Sequence, residues 1–435
     1  MAVLTSDITM PATRSAIPPA LLIGCLVLCL IDVALLQNGV TAHWWIFDEN
    51  GLGIPTDFVN VWSAGRLVLD GHPALAYDWD IQKAVQVAVL GQNYEGNFAW
   101  HYPPPFLFVA VVLAHFPYAV AYAGWALVSF LPYLAAMRAI VGRWFGFLLA
   151  AAFPVVFTNT LVGQNGFLTA SLIGGTLVLL PRWPVLSGIC LGLLSYKPQY
   201  GLLFPLVLIA AAQWRVFFTA SVVAVLMAVL SWLAFGTESW QAFVHWMPMF
   251  NKAFLVEGRA PWGKMQSIFA LTRYFGGPES FAWILQWIMS ATVAVLLALL
   301  WRSRKVQYPL KAAALAAGTL LVTPYLFLYD EMVLAIAVAF LVRIGLDEGF
   351  ERHELPALGL VAALLMIYPL LGAPTGFGAT LVVTALVGWR VGPWWRLSSF
   401  DSGSDNYARR SATWALIGSR LTATTWRSSA AAWPG

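Results

Sequence analysis

Charge is scarce in this chain. Only 10% of its 435 residues are Asp, Glu, Lys or Arg, where a soluble protein draws about 25% from that set. A chain that is 60% hydrophobic, with a mean hydropathy of +0.74, has no polar shell to face water with, so its solvent is lipid. Cysteine is rare as well. Cys25, Cys29 and Cys190 all lie in apolar runs, where they act as small hydrophobes, and neither a disulfide framework nor a thiolate zinc site can be built from them. No short-period repeat is present and the two halves show no similarity. The formal net charge is only +4, and nucleic acid is not expected among the partners.

What is there is a succession of apolar segments, at about 17–37, 104–137, 144–161, 166–181, 184–196, 199–213, 215–235, 281–301, 309–326, 331–345, 355–371 and 375–391. They predict an all-alpha polytopic membrane protein of about 12 transmembrane helices, with 104–137 as one net crossing and both termini cytoplasmic. That assignment leaves Arg66, Lys83, Lys197, Lys252, Arg259, Lys264 and Arg273 outside, seven of 24 basic residues, as the positive-inside rule asks. The first run is preceded only by Arg14 and lacks a small-residue cleavage site before His43, so it reads as a retained span rather than a removed signal peptide. The 104–137 run holds Pro117 and Pro132. A short membrane-entering helix at 104–116 followed by a full span, or two thin spans, stays open there. The short segments 166–181, 184–196 and 199–213 suit broken helices that line a cavity walled by protein.

The transmembrane domain is expected over 1–397. Two extracytoplasmic loops, about 38–103 and 236–280, carry interfacial helices, the first loop around Val59–Leu69 and Trp79–Leu90. A disordered cytoplasmic tail is expected over 398–435, basic enough to meet anionic lipid.

Chemistry would come from polar residues on the outer side. Asp57 follows the first span and precedes an amphipathic helix. It could act as a general base on a hydroxyl or simply cap that helix, and the sequence does not choose. His101 and Tyr102 precede a run of prolines where the chain re-enters the membrane, either capping the interface or presenting polar atoms to a head group. Gln164 and Asn165 fall at one helix end and Lys197 at another. Lys197 could pair with a phosphate or snorkel to the interface. Arg259, Lys264, Gln266 and Arg273 form one further cluster, Tyr329, Asp330 and Glu331 another. Asp32, a carboxylate inside the first span, should face protein or water, through a structural bond or a site role.

These motifs stand in order as Thr56–Asp57–Phe58, Gly71–His72–Pro73, Ala76–Tyr77, His101–Tyr102–Pro103–Pro104, Gly163–Gln164–Asn165, Tyr196–Lys197–Pro198, Lys264–Met265–Gln266–Ser267, Thr323–Pro324–Tyr325 and Tyr329–Asp330. In that combination the chain resembles, over roughly 20–390, the polyprenyl-phosphate-sugar-dependent glycosyltransferases of family 87, the mannosyltransferase-like bacterial branch of the GT-C superfamily.

The resemblance implies a GT-C fold in a bacterial plasma (inner) membrane with its site facing the periplasm or cell exterior. It also implies transfer, with inversion, of a hexose such as mannose from a polyprenyl-phosphate donor to a lipid or glycan acceptor. By the same resemblance Asp57 is the general base, Lys197 and then Arg259 steady the phosphate, and His101, Tyr102 and Gln164 line the sugar or phosphate subsite. Asn165, Lys264, Gln266, Tyr329 and Asp330 complete the substrate-binding set. A histidine found after the late proline motif in some members is absent, and Tyr329–Asp330–Glu331 stands in its place. No cofactor is expected, and a carboxylate-bound divalent ion is left open. A secondary transporter, or a lipid-linked glycan ligase using a diphosphate donor, is the competing reading.

Overall fold

The computed structural model describes residues 16–396, so Arg14 and the tail expected over 398–435 lie outside the described residues. By packing, the chain divides into Met1–Trp389 and Arg390–Gly435, and the site described below belongs to the first. Among the described residues the regular elements are helical, with three isolated β-bridges beside them.

The first helix, α1 (Pro19–Thr41), leads into a loop that packs two shorter helices, α2 (Phe58–Leu69) and α3 (Trp79–Leu90). The run 104–137 resolves into a 3-10 turn (Pro104–Phe106) with α4 (Leu107–Ala114), and then α5 (Tyr118–Val141). Pro117 marks the break, because proline cannot supply the backbone donor that a continuing helix needs. Next come α6 (Phe145–Ala151), α7 (Val155–Val162), α8 (Gly166–Leu179), α9 (Pro184–Leu193) and α10 (Leu203–Ala210). The long α11 (Trp214–Asn251) leaves helical geometry at Gly236 (φ 78°, ψ 169°), then runs on through a π-turn at Lys252–Val256. Much of the predicted loop 236–280 is therefore helix. The chain ends with α12 (Ile268–Tyr274), α13 (Glu279–Arg302), α14 (Tyr308–Leu321), α15 (Leu334–Glu348), α16 (Glu354–Leu371) and α17 (Thr375–Arg396).

The expectation of about 12 transmembrane helices is overturned. Among the described residues six helices are long and apolar enough to cross a membrane: α1, α5, Trp214–Val256, α13, α16 and Thr375–Gly392. The pair α6 and α7, bent by 58°, makes a seventh at most. The other segments are too short. Helices α8, α9, α10, α14 and α15 have 14, 10, 8, 14 and 15 residues. At 1.5 Å per residue they reach about 12–22 Å, against roughly 30 Å of hydrocarbon.

Burial explains the apolarity of the two most enclosed of these. Eleven of the 14 residues of α14 and 12 of the 15 of α15 are buried inside the protein. In α1, by contrast, Leu30 is 70% and Val33 62% exposed, as a lipid-facing helix requires. A hydropathy count scores both kinds of segment alike. The division of basic residues between two sides was counted along twelve passes and loses its footing with them. Asp32 turns inward from α1, 5% exposed, with its Oδ2 lacking a hydrogen-bond partner.

Candidate functional site

Asp57 stands at the start of α2, whose buried face (Phe58, Val59, Val61, Ala64, Leu67) packs on α4 so closely that a Cβ on Gly65 would lie 2.0 Å from the Ala110 carbonyl oxygen. The capping role left open by the sequence is not used. Asp57 already has helical backbone angles (φ −59°, ψ −24°) and its side chain makes no cap bond. Instead its Oδ2 accepts a hydrogen bond from Gln164 Nε2 at 3.3 Å.

Gln164 is itself fixed. Its Oε1 accepts from the Tyr102 hydroxyl and from the Asn165 backbone N–H, both at 3.1 Å, which leaves the amide nitrogen to face Asp57. The chain turns here through Gly163, the αL residue ending α7 (φ 66°), where a Cβ would lie 2.6 Å from that of Phe58. A glycine is needed on both counts. The Gly-Gln-Asn motif thus delivers an amide to the residue beside Phe58.

Asp57 is half-buried, and burial pushes its carboxyl up to about 6. The Gln164 bond and the charges of Lys264 and Lys197 hold it down against that, while Asp330 adds a smaller upward push. A carboxylate poised near neutrality, with an exposed edge, is what proton removal from a hydroxyl calls for. Removing the Gln164 bond should therefore raise the pKa of the base. Gln164→Leu is expected to move the acid limb of kcat/KM above pH 6, with activity roughly five- to tenfold lower at pH 6 and recovery at more alkaline pH. An unchanged pH profile would show that the bond does not tune Asp57.

The His101 ring is stacked between Tyr102 and Phe250, with centroids 4.5 and 4.4 Å away, and Tyr325 meets its edge at 6.0 Å. Its Nδ1 lies 3.1 Å from the Ala99 carbonyl oxygen and so donates to it, which assigns Nε2 as an acceptor. Burial, with the like charge of Lys197, pushes His101 down to about 4 and keeps it neutral. Such a ring can accept a bond from a sugar hydroxyl. Burial pushes the phenol of Tyr102 up, so it stays a donor to Gln164. The Asn165 side chain, 1% exposed, lies by that hydroxyl with neither amide atom in hydrogen-bonding geometry.

Lys197 is not snorkelling. It is 4% exposed and donates to Asp330 Oδ1 at 2.6 Å, with the rings of Tyr102, Tyr200 and Tyr329 at 5.5–6.0 Å from its ammonium. The other oxygen of Asp330 accepts from the Phe327 N–H at 3.1 Å. Arg259, by contrast, pairs with Glu257 at 2.9 Å and lies over Trp79. Gln266 is 1% exposed and its hydrogen bonds all go to backbone, while Lys264 is exposed.

Tyr325, from the Thr323–Pro324–Tyr325 motif, walls His101 together with Phe250, but the sequence did not single out Phe250 itself or Tyr200, which faces Lys197. It carried no signal for them, since each comes from a different segment and reads as an ordinary core aromatic. Glu331 is fully buried, accepts from Thr380 Oγ1 at 2.8 Å, and is pushed well above the carboxylate range by burial. Among the described residues no group of three or more His, Cys, Asp or Glu could hold a metal ion.

A membrane-embedded helical body is consistent with a donor-dependent glycosyltransferase. The chain belongs to glycosyltransferase family 87, whose model matches residues 100–324, just over half of it. No curated protein and no solved structure matches the chain. The matched stretch contains His101, Tyr102, Gln164, Asn165, Lys197, Arg259, Lys264 and Gln266 but not Asp57, Tyr329 or Asp330, so those three rest on geometry.

Proposed function

We propose that the protein transfers a hexose, with mannose the first choice, from a polyprenyl-phosphate donor to a hydroxyl of a lipid or glycan acceptor. The transfer takes place at the periplasmic or outer face of a bacterial inner membrane. The acceptor hydroxyl gives its proton to Asp57, its oxygen bonds to the anomeric carbon with inversion, and the bond from that carbon to the phosphate oxygen breaks. Polyprenyl phosphate leaves with one more negative charge than it had as a diester, and a nearby cation stabilises that charge as it forms. In this reading His101 Nε2 and the Asn165 amide orient the sugar.

The observation that carries this reading is the Asp57 carboxylate. It is half-buried, caps nothing, is aimed by Gln164 and is raised to about 6. The test uses purified protein in lipid nanodiscs with polyprenyl-phosphate mannose, polyprenyl-phosphate glucose and a diphosphate-linked glycan as separate donors. Transfer is expected from a monophosphate donor, fastest with mannose. Transfer from the diphosphate donor alone would overturn the donor class, and substrate uptake by the protein reconstituted in sealed liposomes, without donor consumption, would make it a transporter.

A further inference from the structure

A leaving phosphate needs a cation that it can reach, and the structure sorts the seven basic residues that the sequence grouped together. Arg66 pairs with Asp70 at 3.2 Å. Lys83 donates to the carbonyls of Tyr94 and Gly96 at 2.6 and 2.7 Å. Lys197 is walled in with Asp330, and Glu257 holds both Lys252, at 3.6 Å, and Arg259. Arg273 lies over the Trp262 ring at 4.9 Å and donates to the Gly277 carbonyl at 2.9 Å. Among the described residues Lys264 alone of the seven makes no side-chain hydrogen bond, ion pair or ring contact, and it is exposed.

Its side chain is free, but its backbone is not. Lys264 ends a 3-10 turn (Trp262–Lys264) that is fastened from three directions. Gln266 Nε2 donates to the carbonyls of Gly263 and Lys264, each at 3.1 Å, and its Oε1 accepts from the Gly376 N–H at 2.8 Å. The Gln266 N–H donates to the Leu326 carbonyl at 2.6 Å, and Ser267 Oγ to the Pro324 carbonyl at 2.7 Å. Gly263 is pressed against the junction of α16 and α17, where a Cβ would lie 1.7 Å from the Gly372 carbonyl oxygen.

The segment 324–327 that receives this turn also carries Tyr325, which meets His101. The turn is thus built into the wall of the Asp57 site, and the charge of Lys264 reaches Asp57 more strongly than that of Lys197 does. A buried glutamine whose two amide hydrogens go to backbone carbonyls, and whose oxygen accepts from a backbone N–H, is bonded chiefly to the turn.

We propose that Lys264 is the side chain that contacts the phosphate of the donor and of the leaving polyprenyl phosphate, and that Gln266 is its positioning residue. This rests on the proposed function in taking the ligand to be a lipid-linked phosphate. It departs from the expectation that Lys197 and Arg259 make that contact and that Gln266 binds substrate.

The test is binding of polyprenyl phosphate, the product, to purified full-length protein in zwitterionic nanodiscs at low and high salt, which needs no sugar transfer. Lys264→Ala is expected to weaken binding about tenfold and flatten its salt dependence, with Lys264→Arg within about threefold of wild type. Gln266→Leu should weaken binding several-fold, and the double variant Lys264→Ala/Gln266→Leu should be no worse than Lys264→Ala alone, because positioning matters only while the lysine is there. Thermal unfolding should be unchanged in Lys264→Ala, since that side chain is exposed.

Wild-type binding by Lys264→Ala would overturn the assignment while leaving the glycosyltransferase reading intact. Failure of the wild type itself to bind polyprenyl phosphate would overturn both. An equal loss for Lys264→Ala on anionic phospholipid vesicles lacking polyprenyl phosphate would make Lys264 a general head-group cation and overturn the proposal.

Discussion

Asp57→Asn is expected to lower sugar transfer by between about a hundredfold and ten-thousandfold, the range over which positioned general bases act, without loss of folded protein. The substitution keeps the shape of the side chain and an oxygen that can still accept from Gln164, and removes only the ability to take a proton. Stability should hold. The folded-state pKa of about 6 lies above the ordinary carboxylate value, so the stability linked to Asp57 is full below that ordinary value and is lost as the pH rises through 6. At pH 7 the wild type carries an ionised carboxylate that its surroundings disfavour, and the asparagine variant does not. The wild-type kcat/KM should fall as pH drops through about 6, while the residual rate of Asp57→Asn should lack that limb. Turnover near wild type in the variant, measured beside its thermal unfolding, would remove Asp57 as the base.

Local patterning made the helices around Asp57 readable before the structure. The stretches expected around Val59–Leu69 and Trp79–Leu90 are the helices Phe58–Leu69 and Trp79–Leu90, the second capped by Asp78. The number of spans was not readable in this way, because α14 and α15 are apolar for the sake of neighbouring helices and hydropathy has no term for that. The site divides along the same line. Residue type and position flagged Asp57, Gln164 and Tyr102, which do meet. They could not show that Lys197 finds Asp330 133 positions away, that Arg259 is taken by Glu257, or that Gln266 bonds to Gly376. Partners distant in sequence decide whether a cation is available, and only the folded chain names them.

The ion pair between Lys197 and Asp330 should behave as a structural unit, and a double-mutant cycle tests this. Both side chains are about 95% buried, so removing one partner strands the other's charge, which costs about 3–5 kcal/mol. Lys197→Met and Asp330→Asn are each expected to destabilise the protein on that scale, seen as a large drop in thermal unfolding temperature in detergent. Asp330→Asn keeps an oxygen for the Phe327 N–H and loses only the charge. In Lys197→Met/Asp330→Asn no charge is stranded, so most of the loss should be recovered, with a coupling energy of about 2 kcal/mol or more. Additive losses would mean that water reaches the pair and that Lys197 is open to a ligand. Recovery in the double variant, with polyprenyl phosphate binding retained, would set Lys197 behind the tyrosine wall as a fixed charge bearing on Asp57 and leave contact with the phosphate to Lys264.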